Sequence, residues 1–408
     1  MRKMEKKVVT VIGLGYIGLP TAALLASKGH TVLGMDVNKS AVDTINRGEI
    51  HIVEPDLDTY VSSAVAKGLL SAHTSVQPAD VYMLCVPTPF HSGGEILTPN
   101  VNYVLQAAKS AAPHIKDNDI VILESTSPVG TTRLVLEVFR DAGVDITKIS
   151  VAYCPERVLP GNIMRELIEN DRVIGGVDEQ STKTVADFYR SFVTGEILET
   201  DDATAEMCKL TENSFRDVNI AFANELSMIC DDNGINVWDL IRLANHHPRV
   251  DILNPGTGVG GHCIAVDPWF VVSSDPVNAK IIKQARLVNN TKPKWVVEKI
   301  ITEANKLGLN SVRIACLGLS FKPNIDDLRE SPAVEVVDSL KAKGFSVACV
   351  EPNIGASEKY DIVDLSSALS ECDLVAILVS HNEFITEESR LRLIDMGALD
   401  FCGALNMK

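Results

Sequence analysis

The sequence predicts an α/β protein: two doubly wound sheet domains joined by a helical middle domain that contains one long helix. Three observations predict it. A short β-branched run near the N-terminus leads into a glycine-rich turn and a helix. Apolar strand-like runs alternate with helical stretches in the first 200 residues and again from residue 309. Between them, Ala203 to Asp232 contains neither glycine nor proline. Strands that alternate with helices form parallel sheets, because each parallel connection needs a crossover of a dozen residues or more. The expected divisions are residues 1–200, 201–308 and 309–408.

Composition bounds the function. A chain of 408 residues, 46% hydrophobic and 23% charged, is ordinary for a soluble globular protein of two or three domains. The formal charge of −16 argues against nucleic acid or an anionic membrane as partner, so an anionic ligand must be held by a local cluster of cations or amides. Nine cysteines without regular spacing point to a reducing, cytoplasmic setting rather than a disulfide framework. Basic residues followed by the uncharged stretch Val8 to Ser27 mimic a signal or membrane segment. Gly13, Gly15, Gly18 and Pro20 interrupt it, and a nucleotide-binding turn explains it better.

Residues 7–12 are the first strand, and Gly13-Leu-Gly15-Tyr16-Ile17-Gly18 follows directly. Leu19 to Gly29 reads as a helix, and a second strand, Thr31 to Met35, ends at Asp36. Three glycines between a strand and a helix, with an acid about twenty residues on, form the Rossmann dinucleotide fingerprint. The glycines let a pyrophosphate approach the helix N-terminus, where free N–H groups and the dipole favour anions. Asp36 would accept from a ribose diol and repel a 2′-phosphate, which favours NAD over NADP.

Val81 to Val86, Ile120 to Leu123 and Ile149 to Tyr153 continue the sheet. The polar sites that follow place Thr88, Thr126 and Glu156 at strand carboxyl ends, where open α/β sheets bind ligands. Bland alternatives are that Thr126 caps a helix starting near Val129 and that Glu156 pairs with Arg157. The long helix, with Asp201 or Asp202 as its cap and Gly234 as its stop, puts Lys209, Asn213 and Arg216 on one face. An ammonium, an amide and a guanidinium in a row suit an anionic ligand. His246 and His247 near Cys263 suggest zinc, but no set of ligands has structural-site spacing, so no metal is expected.

Gly258 to Trp269 sets a thiol, Cys263, just after a glycine pair and four residues before Asp267. Glycines allow close approach of backbone and ligand, which suits a nucleophile that must reach a bulky substrate. Lys292 to Lys306 reads as a helical connector. Arg313 to Leu319, Ser346 to Val350 and Leu374 to Val379 read as strands, with a helix over Ala333 to Lys343. This second α/β unit is Rossmann-like without the triple glycine. Its first strand leads to a loop, residues 321–331, rich in ligand-type side chains.

In this order, the fingerprint, Glu-Ser-Thr-Ser-Pro-Val-Gly-Thr (124–131), Cys-Pro-Glu-Arg (154–157), Lys-Leu-Thr-Glu-Asn (209–213), Gly-Gly-His-Cys (260–263) and Phe-Lys-Pro…Asp-Leu-Arg-Glu-Ser (321–331) span nearly the whole chain. Together they resemble the UDP-glucose/GDP-mannose dehydrogenase family. The resemblance implies oxidation of a sugar's primary alcohol to a carboxylate in two steps, with two NAD molecules used in turn. It implies Cys263 as the nucleophile that holds the aldehyde as a thiohemiacetal and then a thioester. Lys209 and Asn213 then stabilise the oxyanion, Glu156 acts as hydrolytic base, and Thr126 and Asp267 position water. The NAD site would be lined by Gly13, Gly15, Tyr16, Ile17, Gly18, Asp36, Thr88 and Thr126, with Arg329 reaching the phosphates. Arg157, Val158, Lys209, Asn213, Arg216, His247, Arg249, Gly261, Phe321 and Lys322 would contact the UDP-sugar. Arg249 would come from a partner subunit, since family members dimerise through the long middle helix. His262 resembles the branch acting on UDP-N-acetylhexosamines, where UDP-glucose enzymes usually carry Ser, and the local wording is most similar to members that oxidise UDP-N-acetyl-D-mannosamine. The rivals are the same chemistry on UDP-N-acetylglucosamine or UDP-N-acetylgalactosamine, a two-electron dehydrogenase that has no use for Cys263, and a non-catalytic NAD sensor.

Overall fold

In the computed structural model, which describes residues 6–91, 96–159, 161–261, 263–355 and 357–406, strands and helices alternate as expected. The first sheet contains, among the described residues, β1 (Val8–Ile12), β2 (Thr31–Met35), β3 (Leu70–His73), β4 (Val81–Leu84), β5 (Ile120–Leu123), β6 (Ser150–Tyr153), β7 (Arg172–Gly176) and β8 (Ile197–Asp201). Their order is β3-β2-β1-β4-β5-β6-β7-β8, parallel throughout except between β6 and β7. Its first six strands have the 3-2-1-4-5-6 order of a dinucleotide fold, with the switch point between β1 and β4. β4 and β5 are buried along their whole length, which explains their unbroken apolar runs. Strand periodicity divides the core: Val81 and Met83 pack into one layer, Tyr82 and Leu84 into the other.

The second sheet has the order β10 (Ser346–Val350), β9 (Arg313–Leu317), β11 (Leu374–Ile377), β12 (Leu399–Asp400), parallel throughout. The same alternation recurs, with Leu374 and Ala376 on one side and Val375 and Ile377 on the other. The chain divides into two compact units between Thr211 and Glu212.

The long helix runs Asp202–Asp232, 31 residues, which at 1.5 Å per residue is about 46 Å. Of the two candidate caps, Asp201 does the work: its carboxylate accepts from Thr204 N at 2.9 Å and Thr204 Oγ1 at 2.7 Å. Asp202 instead accepts from Arg133 at 2.8 Å. Gly234, at φ +64°, closes the helix. The connector expected from Lys292 is a helix over Lys280–Lys306, with Pro293 inside it. An interior proline removes one amide donor and crowds the preceding turn, and here Pro293 is itself buried, so its packing offsets that cost. β3, β7 and β8 were not anticipated either; β8 is largely exposed and polar, so it lacks the apolar run. Among the described residues, no helix is long and apolar enough to cross a membrane.

Candidate active site

Each glycine of the fingerprint has its own physical task. Gly13 sits at φ +93°, where its N–H donates to Met35 O at 2.8 Å and a Cβ would lie 2.8 Å from Cys85 O. Gly18 opens the helix Gly18–Ser27, and a Cβ there would be 1.8 Å from Gly13 O. At Gly15 nothing lies within 4 Å of a Cβ position, so that side of the turn is open to a ligand. A tight turn, an open approach and a close helix–strand contact are the three roles that dinucleotide binding requires of these positions. Tyr16 is exposed and Ile17 half-buried beside them. Asp36, at the end of β2, accepts from Leu14 N at 2.9 Å and Asn38 N at 2.8 Å, which fixes its carboxylate at the edge of the turn. The residues fit NAD.

Across the switch point, the loops after β4 and β5 are tied together. Thr88 Oγ1 donates to Thr126 O at 2.6 Å, and Ser125 Oγ donates to Val86 O at 2.7 Å. Thr126 does not cap the next helix, which begins at Thr131. Its N-terminus is served by Glu206 of the long helix, whose carboxylate accepts from Gly130 N at 2.6 Å, Thr132 N at 2.8 Å and Thr132 Oγ1 at 2.7 Å. Lys209 lies three residues further along the same helix and is buried. Burial pushes the Glu206 carboxyl up, and its three donors pull it back. Glu206 escaped the sequence reading because a glutamate inside a helix looks like a solvated one.

Glu156 is buried, and its main partner is Arg172 at the start of β7, at 2.8 Å. Arg157 contributes its backbone amide, 2.6 Å from Glu156 Oε1, while its own Nη1 donates to Asp171 O at 3.2 Å. Val158 packs half-buried against the first core.

In the C-terminal unit, the cysteine turn is built by contacts that only glycines permit. Gly261, at φ +81°, is pressed against the Phe321 ring, and a Cβ on Gly260 would sit 2.3 Å from Glu330 O. Cys263 is exposed, and its carbonyl accepts from Val266 N and Asp267 N, which leads the chain into the helix Asp267–Ser274. Asp267 is buried and accepts from Asn213 Nδ2 at 2.5 Å. The other end of the turn is held by Asn224, whose side chain accepts from Gly256 N at 2.8 Å. Asn224 in turn belongs to a buried network in which Asn289 donates to Asp217 Oδ1 at 2.7 Å and Arg286 to the same oxygen at 2.6 Å. Of the expected cation stripe, Asn213 is half-buried and Arg216 exposed. His247 and Arg249 are both exposed, with Arg249 N donating to His247 Nδ1 at 3.3 Å. His262 lies outside the described residues.

The loop after β9 depends on a group that the sequence reading missed. Glu351 ends β10 as Asp36 ends β2, but it is fully buried and accepts from Leu319 N, Ser320 N and His381 Nε2 at 2.7, 3.1 and 3.1 Å. His381 Nδ1 accepts from Asn324 N at 3.0 Å, so the pair fixes the loop that presents Phe321 and the exposed Lys322. Burial pushes the Glu351 carboxyl up, but His381 and the amides hold it below the ordinary range. Arg329, exposed, is engaged by Asp327 at 2.7 Å.

Comparison with known proteins decides the family. The chain matches the UDP-glucose/GDP-mannose dehydrogenase family in its NAD binding domain over residues 7–193, its central domain over 203–291 and its UDP binding domain over 315–395. The chain belongs to that family. As a member of the UDP-glucose/GDP-mannose dehydrogenases it is an NAD-dependent nucleotide-sugar dehydrogenase. It is 52% identical over 402 residues to a UDP-N-acetyl-D-mannosamine dehydrogenase of Yersinia pestis, covering 93% of this chain and 95% of the relative. It is 50% identical over 395 residues to an NDP-N-acetyl-D-galactosaminuronic acid dehydrogenase of Ralstonia nicotianae, covering 93% and 92%. Among solved structures it is similar to the UDP-N-acetyl-mannosamine dehydrogenase of S. aureus, with TM-score 0.85 and 41% identity over 93% of this chain and 90% of that one.

Proposed function

We propose that this dehydrogenase oxidises UDP-N-acetyl-D-mannosamine to UDP-N-acetyl-D-mannosaminuronate, with Cys263 as covalent nucleophile. The likeness to the Yersinia pestis enzyme supports the choice of sugar. The observation that carries the mechanism is an exposed cysteine in a glycine turn, followed by an aspartate that binds Asn213. When bound, NAD supplies the hydride acceptor for each of two oxidations. Cys263 thiolate adds to the aldehyde carbon and forms a C–S bond. Lys209 and Asn213 donate to the oxygen that gains charge. A second two-electron oxidation leaves a thioester. Glu156 then takes a proton from water as its oxygen adds to the thioester carbonyl, with Thr126 and Asp267 orienting that water. Collapse breaks the C–S bond, returns Cys263 as thiolate and releases the uronate.

Gly13, Gly15, Tyr16, Ile17, Gly18, Asp36, Thr88 and Thr126 serve NAD, and Arg329 would exchange Asp327 for its phosphates. The UDP-sugar falls to Arg157, Val158, Arg216, His247, Gly261, Phe321 and Lys322, with Arg249 reaching a partner's substrate. A homodimer through the long helix is supported by Phe215, Phe222 and Ile229, spaced seven residues apart and 68%, 50% and 51% exposed. A cytoplasmic setting suits the nine cysteines.

Incubation with NAD and a panel of UDP-N-acetylhexosamines tests the reading. Two NADH per sugar, with the manno epimer preferred, is the expected result; a ratio of one removes the thioester route, and preference for the gluco or galacto epimer removes the sugar assignment. Cys263→Ser should stall before the acid, and full turnover in that variant would exclude the thiol. Phe222→Asp should sediment as monomer if the helix face is the dimer interface.

A further inference from the structure

Beside Glu156 lies a second buried carboxyl that the mechanism leaves unused. Glu124 directly follows β5, is 3% exposed and, among the described residues, accepts from two neutral donors. Tyr189, at the end of the helix Glu179–Tyr189, donates its phenol to Oε1 at 2.6 Å, and Cys85, just after β4, donates its thiol to Oε2 at 3.2 Å. Arg172 links the two carboxyl groups. Its Nη1 donates to Glu156, and its guanidinium lies 5.8 Å from the centroid of the Tyr189 ring that holds Glu124. Its Nη2 is spent on Leu167 O at 3.0 Å.

The charges do not balance. Among the described residues, Glu124, Glu156 and Arg172 are the charged groups that act on one another here, with Cys85, Cys154 and Tyr189 as neutral titratable neighbours. Two ionised carboxylates against one guanidinium would leave a net negative charge in a dry interior, so one proton is retained below neutrality. Glu156 has the guanidinium and the Arg157 amide, whereas Glu124 has a phenol and a thiol, so the proton resides on Glu124. Burial, and then the charge of Glu156, push the Glu124 carboxyl up to about 7. Burial also pushes both thiols and the phenol up, Cys154 to about 12, so none of them competes for that role near neutrality.

We infer that Glu124 is a positioning residue for Glu156: gain or loss of its proton sets the charge around Glu156 and so the rate at which Glu156 deprotonates water for thioester hydrolysis. This rests on the reading of Glu156 as hydrolytic base. With Glu124 protonated, the three groups sum to zero. When Glu124 ionises, an added negative charge beside Glu156 favours proton transfer from water to it. Hydrolysis therefore accelerates as pH rises through neutrality.

The test follows decay of the acyl-enzyme on Cys263 by quenched intact-protein mass spectrometry between pH 6 and 9, with NAD and UDP-N-acetyl-D-mannosamine. Wild type should show the rise through neutrality. Glu124→Gln, which keeps an acceptor for Tyr189, should lose the rise and stay at the slow acid-side rate. Tyr189→Phe removes a donor that favours ionised Glu124, so its rise should move to higher pH. Glu156→Gln should accumulate acyl-enzyme at every pH. If Glu156→Gln accumulates it while both Glu124→Gln and Tyr189→Phe keep the wild-type profile, the role of Glu124 is wrong. If Glu156→Gln hydrolyses normally, the base assignment itself fails.

Discussion

Replacing Gly260 by Ala adds one methyl group three residues before Cys263. Its Cβ would lie 2.3 Å from Glu330 O, 2.7 Å from Pro332 Cδ and 3.0 Å from Phe321 Cβ. Carbon–oxygen contacts settle at about 3.3–3.6 Å, so the turn must withdraw by about 1 Å. The atoms it meets are a backbone carbonyl and a proline ring, neither able to rotate away. Overpacking of this kind costs about 1–3 kcal/mol. The catalytic effect should exceed the stability effect, because a reacting atom misplaced by about 1 Å can lose roughly a hundredfold in rate. Gly256→Ala is the control, since a Cβ there meets nothing closer than 3.9 Å. Thermal melting gives the stability change, NADH release gives kcat, and alkylation by a small haloacetamide reports the thiol. Wild-type kcat and melting in Gly260→Ala would refute the argument that glycine is required here to place Cys263.

Glu206→Ala strands two amides and a hydroxyl at a buried helix N-terminus, and urea unfolding should show a loss of about 3–5 kcal/mol, with Glu206→Gln milder. Lys292 is buried against Ser227 Oγ at 2.6 Å, with its ammonium 3.8 Å from the Trp295 ring centroid, and burial lowers it from 10.5 to about 7. Between those values the unfolded chain holds the proton more tightly, so this residue's contribution rises as pH increases from about 7 to 10.5. The stability of wild type minus Lys292→Met should therefore climb through that window, by at most about 5 kcal/mol, and a flat difference would contradict the assignment. Asp36→Ala should raise KM for NAD by about ten- to a hundredfold and narrow the preference over NADP, as measured by initial rates with each cofactor.

Much of this protein is written locally. Ile120 to Leu123 was legible as a strand because a central parallel strand is buried on both faces and so reads as a continuous apolar run. The cofactor turn was legible because Gly13, Gly15 and Gly18 fall within one strand–turn–helix unit, where Gly13 takes a positive φ and Gly18 lies against Gly13 O. Lys209 and Asn213 share a face by helical spacing alone. The helix expected from Lys292 starts at Lys280, because packing overrides the break that Pro293 marks locally.

What the tertiary structure alone decided is which charges meet. Glu206 finds Thr132 across 74 residues, Arg286 finds Asp217 across 69, Glu351 finds His381 across 30, and Glu124 finds Tyr189 across 65. None of these pairs has a periodicity, because a buried polar group is satisfied by whatever the fold brings to it rather than by its neighbours in sequence. The sequence by itself determined the central strands and the cofactor turn and singled out Cys263 as the candidate nucleophile; the folded chain determined the partners that hold the candidate site residues in place.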